Sequence, residues 1–183
     1  LPSLEHVGEW QHNKTLLEDQ VGVLLDVMKY IESKGASEIY WSIENNGLGQ
    51  APVMVVRQTG EDSFPGVMLH DPHKGRGART NKGFYTSAKS KTEACARLKT
   101  WVEKDIMKIR SRNLLSVLKQ FVSSGNTYKA KVGMHDDLVS STLLCVRMID
   151  IIIDWDDETF NTINGANPEV QDEMDAPMPM AFL

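Results

Sequence analysis

Three carboxylates stand where chemistry could happen. Glu44 closes the segment "EIYWSIE", in which alternation puts Tyr40, Ser42 and Glu44 on one side of an extended chain and Ile39, Trp41 and Ile43 on the other. The "NNG" that follows breaks the segment, so Glu44 falls at the carboxyl end of a strand. Ligands of open α/β sheets bind at that edge, although a Glu facing solvent is the commoner meaning of such a position. Asp136 and Asp137 follow His135 and open the apolar run "LVSSTLLCVRMIDIII". One aspartate at a helix start can accept backbone N–H groups, and both favour the positive end of the helix dipole. Capping leaves the second acid partly unexplained and His135 wholly so. Carboxylate pairs of this kind also suit Mg²⁺ or Mn²⁺, hard cations that prefer oxygen ligands.

Between these acids lies a concentration of positive charge. Residues 74–112 hold twelve Lys and Arg against three acids, although the chain as a whole carries −5. After Arg147 there is no Lys or Arg, while nine acids follow. A basic middle and an acidic end point to a polyanionic partner and a solvated tail, against the plainer reading of a surface whose charges happen to cluster. The segment "DPHKGRGARTNKGFYTS" is rich in Gly and bases and lacks periodicity, which predicts a long loop; long loops within compact domains are often functional. Taken together, a strand-end acid, a pair of helix-start acids and a basic loop are the components of metal-dependent phosphodiester cleavage. In such sites carboxylates hold two cations about 4 Å apart, while basic side chains hold the phosphate backbone.

Other chemistries lack their signatures. There is no G-x-x-x-x-G-K-[ST], no G-x-G-x-x-G after a strand and no serine in a nucleophile elbow. Cys95 and Cys145 lie far apart without a CxxC partner and read as reduced core thiols of a cytoplasmic protein. His70 and His73 flank Pro72 in the loop and read as solvent-facing rather than metal-bound. The longest apolar run, Leu138–Ile153, is interrupted by Ser140, Ser141, Arg147 and Asp150, so no membrane span is expected. No signal peptide is apparent, and the chain opens on Leu rather than Met, as a piece of a longer protein would.

The elements that must position the acids alternate between strand and helix. Strands are expected at Leu4–Gln11, Glu38–Glu44, Gly66–His70, Ile106–Ile109 and around "TYKAK". A helix capped by Asn13 or Thr15 is expected to end at Lys34-Gly35, and a second to follow "NNG" with Pro52 near its start. A third, over "SAKSKTEACARLKTWVEKD", turns Ala94, Leu98, Trp101 and Val102 inward; a fourth, over "SRNLLSVLKQFVS", turns Leu114, Leu115, Leu118 and Phe121 inward. Trp10, Trp41 and Trp101 are expected in or beside the core. The pattern predicts one α/β layered domain with a mixed sheet over residues 1–155, followed by a flexible acidic tail over 156–183.

Three stretches, "IYWSIENNGLG", "KSKTEACARLKTWVEKDIMKIRSRNLLSVLKQF" and "GMHDDLVSSTLL", resemble the nuclease domain of the large terminase subunit of T4-like tailed bacteriophages. The resemblance runs from about His6 to Ile153 and includes the order and spacing of the motifs. It implies an RNase H-like fold, a mixed sheet flanked by helices, and an endonuclease that cuts concatemeric phage DNA at initiation and termination of packaging with Mg²⁺ or Mn²⁺. Carried onto this sequence, the family's second acid falls on Glu44 and its third on Asp137, with Asp136 as a neighbouring ligand or cap. The first acid belongs to a strand ahead of Leu4. Glu9 falls on the second strand and does not replace it. The chain is therefore expected to lack the first strand and its Asp, leaving an incomplete site with weak or absent cleavage; a strand-borne Asp beside Glu44 and Asp137 would refute this. The resemblance also implies DNA contact by Lys74, Arg76, Arg79, Lys82, Lys89 and Lys91. Its implied partners are double-stranded DNA, an ATPase domain in the same full-length chain, the portal ring and the small terminase subunit, in the host cytoplasm and with no membrane. Two readings compete: a Holliday-junction resolvase-like nuclease of the same fold, and a catalytically silent module that grips DNA or docks on the portal.

Overall fold

The computed structural model describes residues 4–36, 38–46, 50–71, 82–124, 127–130 and 137–163. Up to residue 120 strand and helix alternate as the sequence predicts, with shorter strands; two strands then follow in succession. β1 (Leu4–His6) lies parallel to β4 (Met107–Ile109), with Leu4 opposite Met107. β2 (Tyr40–Trp41) lies parallel to β3 (Val67–Met68), and β5 (Phe121–Ser124) antiparallel to β6 (Thr127–Ala130). Among the described residues the pairing thus takes the form of three two-stranded ladders of mixed direction. β1 stops at His6, and the rest of the expected first strand is irregular, with Val7 and Trp10 exposed.

The helices carry the parallel crossovers, as parallel neighbours require. α1 (Leu17–Ser33) begins without a side-chain cap. Neither Asn13 nor Thr15 serves: the Thr15 hydroxyl shares a 2.5 Å hydrogen bond with His12 Nδ1, and Gln20 Nε2 donates to the Thr15 carbonyl at 2.8 Å. The helix ends where Lys34-Gly35 predicts, with Gly35 at φ +89°. α2 (Gln50–Thr59) holds Pro52 in its first turn, where the missing N–H has no intrahelical partner to lose. Val21 and Met28 of α1, Val56 of α2, Trp41, Phe64 and Met68 form one core cluster. Within it Trp41 stacks on Phe64 with ring centroids 5.0 Å apart. Each such side chain contributes about 1.5–3 kcal/mol through burial.

α3 (Ala88–Glu103) buries Ala94, Leu98 and Trp101 and hands over to β4 through Asp105, at φ +54°. Val102, expected on the same face, is exposed, because its position is rotated about 100° from Trp101 and lies past the edge of the buried stripe. α4 (Arg112–Gln120) starts on the Ser111 hydroxyl, which accepts from Leu114 N at 3.0 Å, and buries Leu114. Leu115 is exposed, and Phe121 opens β5 instead of continuing the helix. α5 (Asp137–Ile163) buries Leu138, Val139, Leu143 and Val146 and runs past Asp156, the expected end of its periodicity. Packing divides the chain into the unit Leu1–Met148 and the unit Ile149–Leu183, the latter described as helix up to Ile163. Among the described residues no helix is long and apolar enough to cross a membrane. Cys95 is half-buried and Cys145 exposed, so neither is a core thiol; burial pushes the Cys95 thiol up, against the opposing pull of the Lys91 charge.

Candidate active site

The strand end that carries Glu44 is assembled from two segments docked on one edge. Val67 N donates to the Ile39 carbonyl and Leu69 N to the Trp41 carbonyl, both at 2.8 Å. Further along the same edge Phe84 N donates to the Ile43 carbonyl at 2.9 Å and Asn45 N to the Phe84 carbonyl at 2.7 Å, which pairs Glu44 with Phe84 in parallel. The chain leaves this edge after Leu69 and rejoins it at Phe84. The two ends of the excursion are tied together: Asp71 N donates to the Gly83 carbonyl at 3.2 Å, and Gly83 N to His70 Nδ1 at 3.1 Å. His70 is half-buried and holds this closure, which corrects its reading as a solvent-facing side chain. Gly66 (φ +81°) and Gly83 (φ +82°) precede the two docked segments in the same way. A Cβ on Gly66 would lie 2.0 Å from the Ile39 carbonyl oxygen, and one on Gly83 2.3 Å from that of Ile43.

Glu44 is half-buried at this strand end, and its Oε1 accepts from Asn46 Nδ2 at 3.3 Å. Asn46 is itself fixed by Thr86: its Nδ2 donates to the Thr86 carbonyl at 2.8 Å, and its Oδ1 accepts from Thr86 N at 2.9 Å. Asp137 stands exposed in the first turn of α5 and accepts from Gln11 Nε2 at 3.4 Å. Neutral amides therefore contact both acids, and among the described residues neither is paired with a Lys or Arg. Asp136, and His135 beside it, lie outside the described residues. No group of three or more His, Cys, Asp or Glu gathers in metal-binding geometry among the described residues.

Sequence reasoning passed over another acid beside Glu44. Asp71 sits three residues past β3, the register position that would face Glu44 if the β2–β3 pairing continued. Its carboxylate is consumed elsewhere. Oδ1 pairs with Arg147 of α5, and Oδ2 accepts from Tyr85 N at 2.6 Å. Arg147 also donates to Thr86 Oγ1 at 3.4 Å and lies over the Phe84 ring, 4.8 Å from its centroid. Arg147 had registered only as an interruption of an apolar run; the signal available was its lone positive charge on an otherwise apolar helix face. Glu9 is not on a strand and accepts from Ser111 Oγ at 2.8 Å.

Of the basic residues, Lys74, Arg76 and Arg79 lie outside the described residues. Lys82, at the return of the excursion, pairs with Glu61, and its carbonyl accepts from Asn45 Nδ2 at 2.8 Å. Lys89 and Lys91 occupy the first turn of α3, which contains no acid. The turn is closed by a capping box: Ser90 N donates to Ser87 Oγ at 3.1 Å, and Ser87 N to Ser90 Oγ at 2.9 Å. Lys89 is exposed, 3.8 Å from Glu93.

No family model matches the chain. Among solved structures it is similar to the large terminase nuclease from thermophilic phage G20c, a crystal structure with bound cobalt. The TM-score is 0.50 at 17% identity, over 74% of this chain and 64% of that one. The chain thus spans under two thirds of the length of this neighbour. The described chain is a mixed α/β fold of small ladders, two parallel and one antiparallel, and five helices, similar in fold to a phage large-terminase nuclease.

Proposed function

We propose that this chain is the nuclease domain of a large terminase subunit of the T4-like kind, an RNase H-like endonuclease that cuts double-stranded phage DNA. The observation that carries the proposal is a half-buried strand-end carboxylate, Glu44, in a fold similar to a terminase nuclease and contacted by a neutral amide rather than a cation. Glu44, Asp137 and Asp136 would hold Mg²⁺ or Mn²⁺, which fits their hard oxygen donors and the lack of a Lys or Arg partner on the two described acids. When bound, two such cations activate water and stabilise the leaving oxygen. The role of the chain's own residues is to place the carboxylates and hold the backbone phosphates. Lys89 and Lys91 support the second role, because two lysines in a helix's first turn oppose its dipole, a cost that a bound polyanion relieves. Lys74, Arg76, Arg79 and Lys82 extend that surface in the same reading.

The reading places the nuclease at residues 1–155 with an acidic tail at 156–183. It assigns the full-length protein an ATPase domain, the portal ring and the small terminase subunit as partners, in the host cytoplasm. It also calls for a further carboxylate on a strand ahead of Leu4, since Asp71 is taken up by Arg147. Plasmid nicking with Mn²⁺ tests it. Nicking is expected to be weak from the 183-residue chain and strong from one extended at its N-terminus. In the extended chain Asp137→Ala is expected to abolish cleavage and Asp136→Ala to lower it less. Cleavage by neither chain would favour the silent DNA- or portal-binding module.

A further inference from the structure

The contacts around Thr86 join α5 to Glu44. Arg147 donates to Thr86 Oγ1, the Thr86 backbone grips the Asn46 amide through both its N–H and its carbonyl, and Asn46 donates to the Glu44 carboxylate. The chain of contacts is closed on its other side, because Arg147 pairs with Asp71, Asp71 accepts from Tyr85 N, and the guanidinium lies over Phe84, the backbone partner of Glu44. Arg147 is mostly buried, with its side chain 15% exposed, and all three of its partners are at this strand end. A planar guanidinium with several fixed donors suits such a joint better than a single ammonium.

We propose that Arg147 and Asp71 form a latch that sets the orientation of the Glu44 carboxylate through Thr86 and Asn46. The role assigned to Glu44 rests on the nuclease reading; the latch itself does not. Asn46, Thr86 and Arg147 are positioning residues. Arg147 lies ten residues along α5 from Asp137, about 15 Å of helix, so the same latch anchors the helix that presents Asp137. The guanidinium is thereby held by Asp71, and among the described residues the Glu44 carboxylate has no cationic partner.

The test reads Glu44 directly. The side-chain carboxyl ¹³C resonance of Glu44 is followed by NMR in the 183-residue chain, alongside the kcat and KM for plasmid nicking in the N-terminally extended chain. Arg147→Ala and Asn46→Ala are each expected to move that resonance, and Arg147→Ala to add no further movement in the Asn46→Ala background. Thr86→Val keeps the shape and all the charges but removes the hydroxyl to which Arg147 Nη1 donates, leaving its pairing with Asp71 in place. It is expected to move the resonance too and to lower kcat by about 10-fold with KM for DNA unchanged, as for residues that orient a metal ligand. An unmoved resonance in Thr86→Val overturns the latch, even if Arg147→Ala does not fold. So does a shift from Arg147→Ala that persists in full without Asn46. The nuclease reading fails separately: if Glu44→Gln leaves nicking intact, that reading is lost, while the latch is still decided by the resonance.

Discussion

Glu44 and Asp71 end neighbouring strand segments and differ in what surrounds them. Asp71 has both oxygens occupied, one by Arg147 and the other by the Tyr85 amide. Among the described residues Glu44 accepts a single long bond, from a neutral amide. A carboxylate neutralised by a guanidinium in a partly buried site is a structural group, because removing one partner leaves the other's charge without compensation. A carboxylate contacted by a neutral amide still has lone pairs to offer a ligand. Proximity to the strand end does not make an acid a ligand; the decisive feature is which group balances its charge.

Neutralising each acid in turn in the extended chain separates the two roles. Glu44→Gln is expected to lower nicking by more than about 100-fold, since it removes a ligand rather than a residue that orients one, and to leave the melting temperature nearly unchanged. Asp71→Asn is expected to destabilise by about 1–3 kcal/mol, less than a fully buried pair because Asp71 is partly exposed, with nicking reduced by only about 10-fold. Thermal melts and initial nicking rates check both. A stable Asp71→Asn with abolished cleavage, or an unstable Glu44→Gln, would reverse the assignment.

The two acids were unequally legible in the sequence. Glu44 could be found because alternation from Ile39 to Glu44 and the Asn-Gly break are local signals, and the structure pairs this segment as a strand edge. The helices were legible for the same reason, since their apolar spacing reports the face they bury. The Asp71 latch was not, because Asp71 and Arg147 are 76 residues apart, and a lone charge on an apolar helix face does not name its distant partner. Strand lengths were overestimated where β-rich composition, as in Leu4–Gln11, lacked a partner beyond His6. Val102 and Leu115 show the limit of reading a helix face, since a residue at the margin of the stripe can fall on either side of it.

The glycines that introduce the two docked segments extend the comparison to the backbone. Both sit at positive φ against a carbonyl of the segment that carries Glu44, Gly66 against Ile39 and Gly83 against Ile43. Ala at either position adds a strained conformation, about 1–3 kcal/mol, and a clash with backbone that cannot move aside. Gly66→Ala distorts the segment packed on Trp41 and is expected to lower stability throughout the core. Gly83→Ala distorts the return to Phe84 and Glu44, and is expected to reduce nicking more than its loss of stability explains. Urea denaturation beside nicking rates separates the two, and an equal effect of both variants on activity per folded molecule would show that the strand end has no special need of Gly83.

The smallest expected effects concern the lysines, and the contrast there repeats that of the acids. Lys82 is already matched by Glu61, whereas Lys89 stands exposed in the first turn of α3 with only a 3.8 Å i,i+4 partner, an arrangement of little energetic consequence. Each phosphate contact contributes about 0.9 to the slope of log affinity against log salt. Lys89→Ala with Lys91→Ala is therefore expected to flatten the salt dependence of DNA binding by up to about two contacts' worth. Lys82→Ala is expected to change it less, because DNA must first displace Glu61. Glu61→Gln is then the informative partner: by freeing Lys82 it should steepen the slope and tighten binding at low salt. Binding titrations across a salt series decide the matter, and a steeper loss from Lys82→Ala than from the α3 pair would place the phosphate track at the return of the excursion instead of along α3.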